Sequence, residues 1–251
     1  MLLKFLRSLA RINLLIEPTI RHYVVYARAW YWIRLRRRLR TLDSDDTVKA
    51  NIMHNMKSIW GVNNRMNLLT YPLSVIETLG PDARILVIGP RNENDLLSLA
   101  GLGFRKENIV GLDLISYSPH IHLGDMHAIP FPDASFDAVI CGWTISYSTN
   151  PRRAADEMVR VTKPGGVLAI GVEYSTMEPR DEKVLLGYEL QEFEKIGRRL
   201  NSARDFRELF AGSMDHVYFE HDAPRKISHT AEGLVDRVSN VGIVFSIKQG
   251  G

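Results

Sequence analysis

Apolar residues near the start of the chain recur at helical intervals, with cations between them. Leu2, Leu3, Phe5, Leu6, Leu9, Ile12 and Ile16 fall mainly three and four residues apart, while Lys4, Arg7 and Arg11 mark another face. Pro18 stops the pattern, which predicts a basic amphipathic helix. A second segment, "YVVYARAWYWIRLRRRLR", is rich in aromatics and ends in a dense arginine run. From Arg84 the rhythm changes to short apolar runs separated by helical stretches. "RILVIG", "NIVGLDL" ending at Asp113, a short run near Ile121, Phe136–Cys141 and "VLAIGVEY" read as strands. "NDLLSLAGLG" reads as a helix. "NPRRAADEMVRVTKPGG" reads as a helix of about three turns, from an Asn-Pro cap to Pro-Gly-Gly. Strands alternating with helices predict an α/β fold with a doubly wound parallel sheet.

The end of the chain departs from that alternation. "DHVYFEHDA" and "VGIVFSIKQ" both read as strands without a convincing helix between them, which predicts a hairpin and an antiparallel edge. Before them, a charged helical stretch at about 176–211 interrupts the strand series. Such an insertion at the carboxyl end of a strand lies where open α/β sheets bind ligands. The expected division is therefore a basic, partly amphipathic helical segment over 1–78 and an α/β domain over 79–251 that carries the insertion.

Charge sharpens the picture of the arm. The whole chain of 251 residues carries +3. Residues 1–40 hold ten Lys or Arg against one acid, Glu17, a net +9, so the remainder is −6. Three partners suit such an arm: an anionic membrane surface, with Trp30, Tyr31 and Trp32 at the interface; the body of the domain or a second subunit, giving a homodimer; and, less favoured, nucleic acid. No apolar run reaches the roughly 18–20 residues that span a bilayer. The single cysteine, Cys141, excludes an intrachain disulfide. A reducing, cytoplasmic setting is the expectation, with a peripheral contact to the inner face of a membrane through the arm. No Cys/His group has zinc spacing, so no metal is expected.

The residues "GDMHAIPFPDASFDAVICGW" and "NPRRAADEMVRVTKPGGVLAIGVE" resemble a family. They are similar to the class I S-adenosylmethionine-dependent methyltransferases of the branch carrying G-D-x-x-x-L-P-F-P-D-x-S-F-D and R-V-L-K-P-G-G. The resemblance covers roughly residues 80–175. It implies a Rossmann-like, mostly parallel seven-stranded sheet with an antiparallel terminal hairpin, S-adenosylmethionine as cofactor, and methyl transfer.

The chemistry of the motifs can also be read directly. Asp113, 24 positions after Gly89, ends the second strand, where a carboxylate can accept both ribose hydroxyls; the alternative is a helix cap. The family's acid before adenine corresponds to Asp125, and the backbone N–H of Met126 to its companion; the alternative is an aspartate that only forms the turn. Leu114 and Met126 would sandwich the ring or belong to the core. The resemblance adds Cys141 to the cofactor set. One motif is altered. The family's acid and G-x-G-x-G become Val87, Gly89, Arg91 and Glu93. The following helix still offers N–H groups to an anion. Arg91 is expected to meet the methionine carboxylate, and Glu93 or Asn92 the methionine ammonium.

An oxygen nucleophile needs a base, for which the candidates are His127, Glu173 and Tyr147. Trp143 and Tyr147 are expected to wall the acceptor pocket. No Asn-Pro-Pro-Tyr-type motif follows the fourth strand, which disfavours methylation of a nitrogen base. The expected activity is methyl transfer, at oxygen, to a small molecule, glycan or lipid-linked acceptor. The alternative is a catalytically silent methyltransferase-like scaffold.

Overall fold

Four-residue apolar runs without polar interruption need burial on both faces, and the centre of a parallel sheet provides it. The computed structural model describes residues 14–42, 59–61, 65–174, 200–222 and 239–249. Helix α1 (Pro18–Trp30) continues into a π turn over Tyr31–Leu35 and is followed by the two-residue strand β1 (Arg40–Thr41). Helix α2 (Asn67–Ser74) leads to strand β2 (Ile85–Ile88), helix α3 (Asn94–Gly101), strand β3 (Ile109–Asp113), the short β4 (Ile115–Ser116) and β5 (Ile121–Leu123). Strand β6 (Phe136–Gly142), helix α4 (Pro151–Val161), strand β7 (Thr162–Tyr174), helix α5 (Ala203–Leu209), β8 (Met214–His221) and β9 (Ser239–Ile247) complete the described chain.

Seven strands form one sheet in the order β5-β3-β2-β6-β7-β9-β8. The first five are parallel, and β9 runs antiparallel to both β7 and β8. The terminal hairpin is therefore as expected. Alternation along each strand sorts side chains between two cores. Ile85, Val87, Ala138 and Ile140 join the core under α2 and α3. Leu86, Ile88, Val139 and Cys141 join the opposite core, with Met158 of α4 and Phe206 of α5.

Two expectations change. Pro164-Gly165-Gly166 does not end helix α4. That helix stops at Val161, and β7 starts at Thr162. The extra residues form an irregularity between the pairs Phe136↔Thr162 and Ala138↔Val167. Gly165 supplies a positive φ of 73° there. The boundary expected at 78/79 also runs through one core, because Met66, Leu69 and Leu73 are buried against the sheet. Most of the stretch at 176–211, and the first predicted helix up to residue 13, lie outside the described residues.

The described part of the arm is stitched to the domain at several points. Arg21, Val25 and Ala29 of α1 are buried. The Arg21 guanidinium donates to Asn94 Oδ1 at 2.9 Å and to the Leu15 carbonyl at 2.8 Å. Arg28 holds Glu93. β1 pairs with β4, immediately beyond Asp113. The arm therefore braces the segments that follow β2 and β3. The body of the domain is thus the partner of this inner face.

Candidate functional site

The carboxyl ends of β2, β3 and β6 open on a cavity of about 270 Å³. The loop after β2 forms its floor. Gly89 has φ +67°, and a Cβ there would sit 1.9 Å from Thr144 Oγ1, so only glycine fits. Two residues on, Arg91 has φ +55°. The loop thus keeps a left-handed turn at the family's second glycine position with an arginine in it. A non-glycine residue pays about 1 kcal/mol for that conformation, offset by the bond from its N–H to Asp113 Oδ2 at 2.9 Å.

Asp113, at the end of β3, is 5% exposed and lines the cavity. Its Oδ1 accepts from the Ile115 N–H at 3.1 Å. Burial pushes this carboxyl up, against the backbone donors of Arg91, Ile115 and Leu114 and the nearby Arg91 charge. Across the cavity, Asp125 Oδ1 accepts the His127 N–H at 2.9 Å and meets His127 Nδ1 at 2.6 Å. His127 Nε2 lies 2.7 Å from the hydroxyl of buried Ser148. These bonds to His127 hold the Asp125 carboxyl below its ordinary range, against partial burial.

Several expected residues meet here: Gly89, Arg91, Asn92, Asp113, Leu114, Asp125, Met126, His127, Trp143 and Tyr147 all line the cavity. Leu114 and Met126 also pack against the two cores. Trp143 is buried in a left-handed conformation, φ 64°. Its Nε1–H donates to Asn240 Oδ1 at 3.0 Å, and Arg65 lies 4.9 Å over its ring.

Four assignments need correction. Glu93 does not face the cavity; it is 1% exposed, held by Arg28 and by the Ser118 hydroxyl, and its backbone N–H donates to Tyr117 Oη at 3.0 Å. Burial alone would raise the Glu93 carboxyl, but these donors and the Arg28 charge bring it below the usual range. The Asn92 side chain lines the cavity yet is engaged in holding the loop: its amide donates to the Ile59 and Gly61 carbonyls at 3.0 and 2.7 Å, and its oxygen accepts the Asn94 N–H at 2.9 Å. Cys141 points to the core beneath α4, because its neighbours Ile140 and Gly142 have the opposite strand parity; burial pushes its thiol up to about 12. Glu173 is ion-paired to Arg65 and is not among the cavity walls.

Other cavity residues carry no motif. Asp95, in the first turn of α3, is one. Burial pushes its carboxyl up to about 6, against Asn94 and the charges of Arg65, Arg91 and Arg21. Arg65, Met66 and Thr144 also line the cavity. An acid one turn beyond an altered glycine loop was the available signal for Asp95. Arg65 reaches the site from a segment whose sequence has no distinguishing pattern.

Residues 89–170 match the family described as "Methyltransferase domain". A biotin biosynthesis bifunctional protein BioHC from Teredinibacter turnerae is 30% identical over 125 residues, covering 48% of this chain and 21% of that protein. A ubiquinone/menaquinone biosynthesis C-methyltransferase UbiE from a Ruegeria species is 33% identical over 121 residues, covering 42% and 47%. The chain thus spans about a fifth to under a half of these curated relatives. A chain of the Haloferax volcanii complex between the Trm112 methyltransferase activator and a methyltransferase shares the fold, with TM-score 0.54 and 17% identity over 82% of this chain and 98% of that one. No described helix is long and apolar enough to cross a membrane. Sheet order and matched segment converge: residues 89–170 match a methyltransferase-domain family, and they lie on a seven-stranded sheet with the antiparallel edge that the resemblance implied.

Proposed function

We propose that this chain binds S-adenosylmethionine in the cavity and transfers its methyl group to a small-molecule, glycan or lipid-linked acceptor, at oxygen. The observation that carries this reading is the buried Asp113 carboxylate, opening on the same cavity as the altered loop and Asp125. The donor set fits the cofactor's parts. Asp113 would hold the ribose, and Asp125 with the Met126 backbone the adenine. Arg91 would meet the methionine carboxylate. Asp95 replaces Glu93 and Asn92 as the partner for the ammonium, because it lines the cavity from the first turn of α3 and is not assigned to the ribose or adenine.

Bound there, the cofactor supplies an electrophilic methyl carbon, and the protein's task is largely alignment. His127 is the base favoured by geometry. Asp125 beside Nδ1 favours the tautomer with the proton on that nitrogen, leaving the Nε2 lone pair to accept; the Ser148 hydroxyl meets it in this structure, and the acceptor's hydroxyl would take that place. Trp143 and Tyr147 wall the acceptor side. The same base would serve methylation at a ring carbon beside an ionised hydroxyl, a reading supported by the C-methyltransferase named among the relatives.

Isothermal titration with S-adenosylmethionine tests the assignment and separates it from a silent scaffold. Asp113→Ala should weaken binding roughly 10- to 100-fold through lost charge-assisted bonds. Unchanged affinity in a folded variant would remove Asp113 from the ribose site, and no binding by the native chain would leave the scaffold. His127→Gln should lower turnover by about a hundredfold or more while leaving cofactor affinity within a few fold.

A further inference from the structure

Helix α1 has two faces, and only one is used by the domain. Arg21, Val25, Arg28 and Ala29 face inward. Ile16, Ile20, Tyr23, Ala27 and Trp30 recur at spacings of four, three, four and three and are all exposed, Tyr23 at 69% and Trp30 at 50%. On a helix of 3.6 residues per turn these form one stripe opposite the buried one. A soluble helix ordinarily turns charged residues outward, so an outward stripe of apolar and aromatic side chains is inverted. At its end the chain exposes Arg34, Arg36, Arg37, Arg38 and Arg40. No Asp or Glu occurs between Pro18 and Leu42.

We propose that the outward face of α1 and the arginine run after it dock on an anionic lipid bilayer. Trp30 and Tyr23 would enter the interface between headgroups and acyl chains, and the arginines would meet lipid phosphates. The pairing of features selects this occupant. Nucleic acid would use the arginines but leave the apolar stripe without a partner. A second copy would cover the stripe, but the same stretch of a partner has no Asp or Glu to meet the arginines. A bilayer of anionic lipid satisfies both. This inference does not depend on the methyl-transfer reading.

The test is flotation of the full chain with two kinds of vesicle, pure phosphatidylcholine and phosphatidylcholine mixed with phosphatidylglycerol. The chain should float with the mixed vesicles, and raising salt should release it. Tyr23→Ser with Trp30→Ser should abolish flotation while leaving circular dichroism unchanged, because both side chains point away from the domain. Arg34→Gln with Arg36→Gln should lower partitioning by roughly thirtyfold, about fivefold for each arginine. Failure to float at low salt overturns the proposal, as does equal flotation with both vesicles or undiminished flotation of the serine variant. Light scattering gives a further decision: a native dimer that the serine substitutions turn into a monomer would assign the stripe to a second copy. Binding of an RNA oligonucleotide that survives the serine substitutions, without flotation, would assign the arginines to nucleic acid. Cofactor titration on the same samples keeps the two readings apart, since a chain that floats without binding S-adenosylmethionine retains the lipid site and loses the enzyme.

Discussion

Asp95 is a carboxylic acid whose surroundings favour its neutral form. Its folded-state value, about 6, lies above the ordinary aspartate value, so the folded chain holds this proton more tightly than the unfolded chain. Ionising Asp95 therefore opposes folding; the penalty is absent below about pH 4 and complete above about pH 6–7. Asp95→Asn should raise the thermal midpoint by several degrees near pH 8 and by little near pH 4, with differential scanning calorimetry as the check. Cofactor binding should respond in the opposite sense. An ammonium partner needs the charged carboxylate, so affinity for S-adenosylmethionine should climb as pH rises through about 6 and then level off. A flat pH profile in the native chain would remove Asp95 from the ammonium site. Arg91 allows a second separation. Arg91→Ala should weaken S-adenosylmethionine far more than adenosine, which has no carboxylate; equal losses would mean that its role is confined to the backbone turn.

At the scale of elements, the strands were legible because they obey one rule. Parallel central strands must be apolar throughout, so Ile85–Ile88 and Phe136–Cys141 announced themselves, and the 24-residue spacing from Gly89 singled out Asp113, which lines the cavity. The loop between β2 and α3 was legible only in outline. Its missing glycines suggested remodelling, but the partner that makes the remodelled loop stable, Arg28, lies 65 residues earlier. Local patterning cannot announce such a partner, and Arg28 looked like one more cation of a solvated face. The same blindness misplaced Cys141, where one residue of strand parity decides between cavity and core. The Arg28–Glu93 contact makes the loop's dependence measurable. Arg28→Ala strands a buried carboxylate and should cost about 3 kcal/mol of stability by urea denaturation. Adding Glu93→Gln should recover most of that loss, because the uncompensated charge is gone. No recovery would show that Arg28 contributes through packing.

At the scale of the molecule, the segment before residue 79 shares a core with the sheet and supports the cofactor loop. A chain shortened to begin near Thr41 should lose Arg21 and Arg28, expose the apolar surface beneath α1, and show both a lower thermal midpoint and weaker S-adenosylmethionine binding. Retention of both properties would return the arm to the status of an appendage. The contact between α1 and Glu93 carries a further consequence. A helix that grips the loop beside the cavity on one side and is open to another ligand on the other can couple two equilibria, and any such coupling is reciprocal. If occupancy of the outer face changes cofactor affinity by some factor, cofactor occupancy must change attachment of the outer face by the same factor. A loaded and an unloaded chain would then divide themselves differently between surface and solution, so methyl-donor supply would govern where the protein resides as well as what it does.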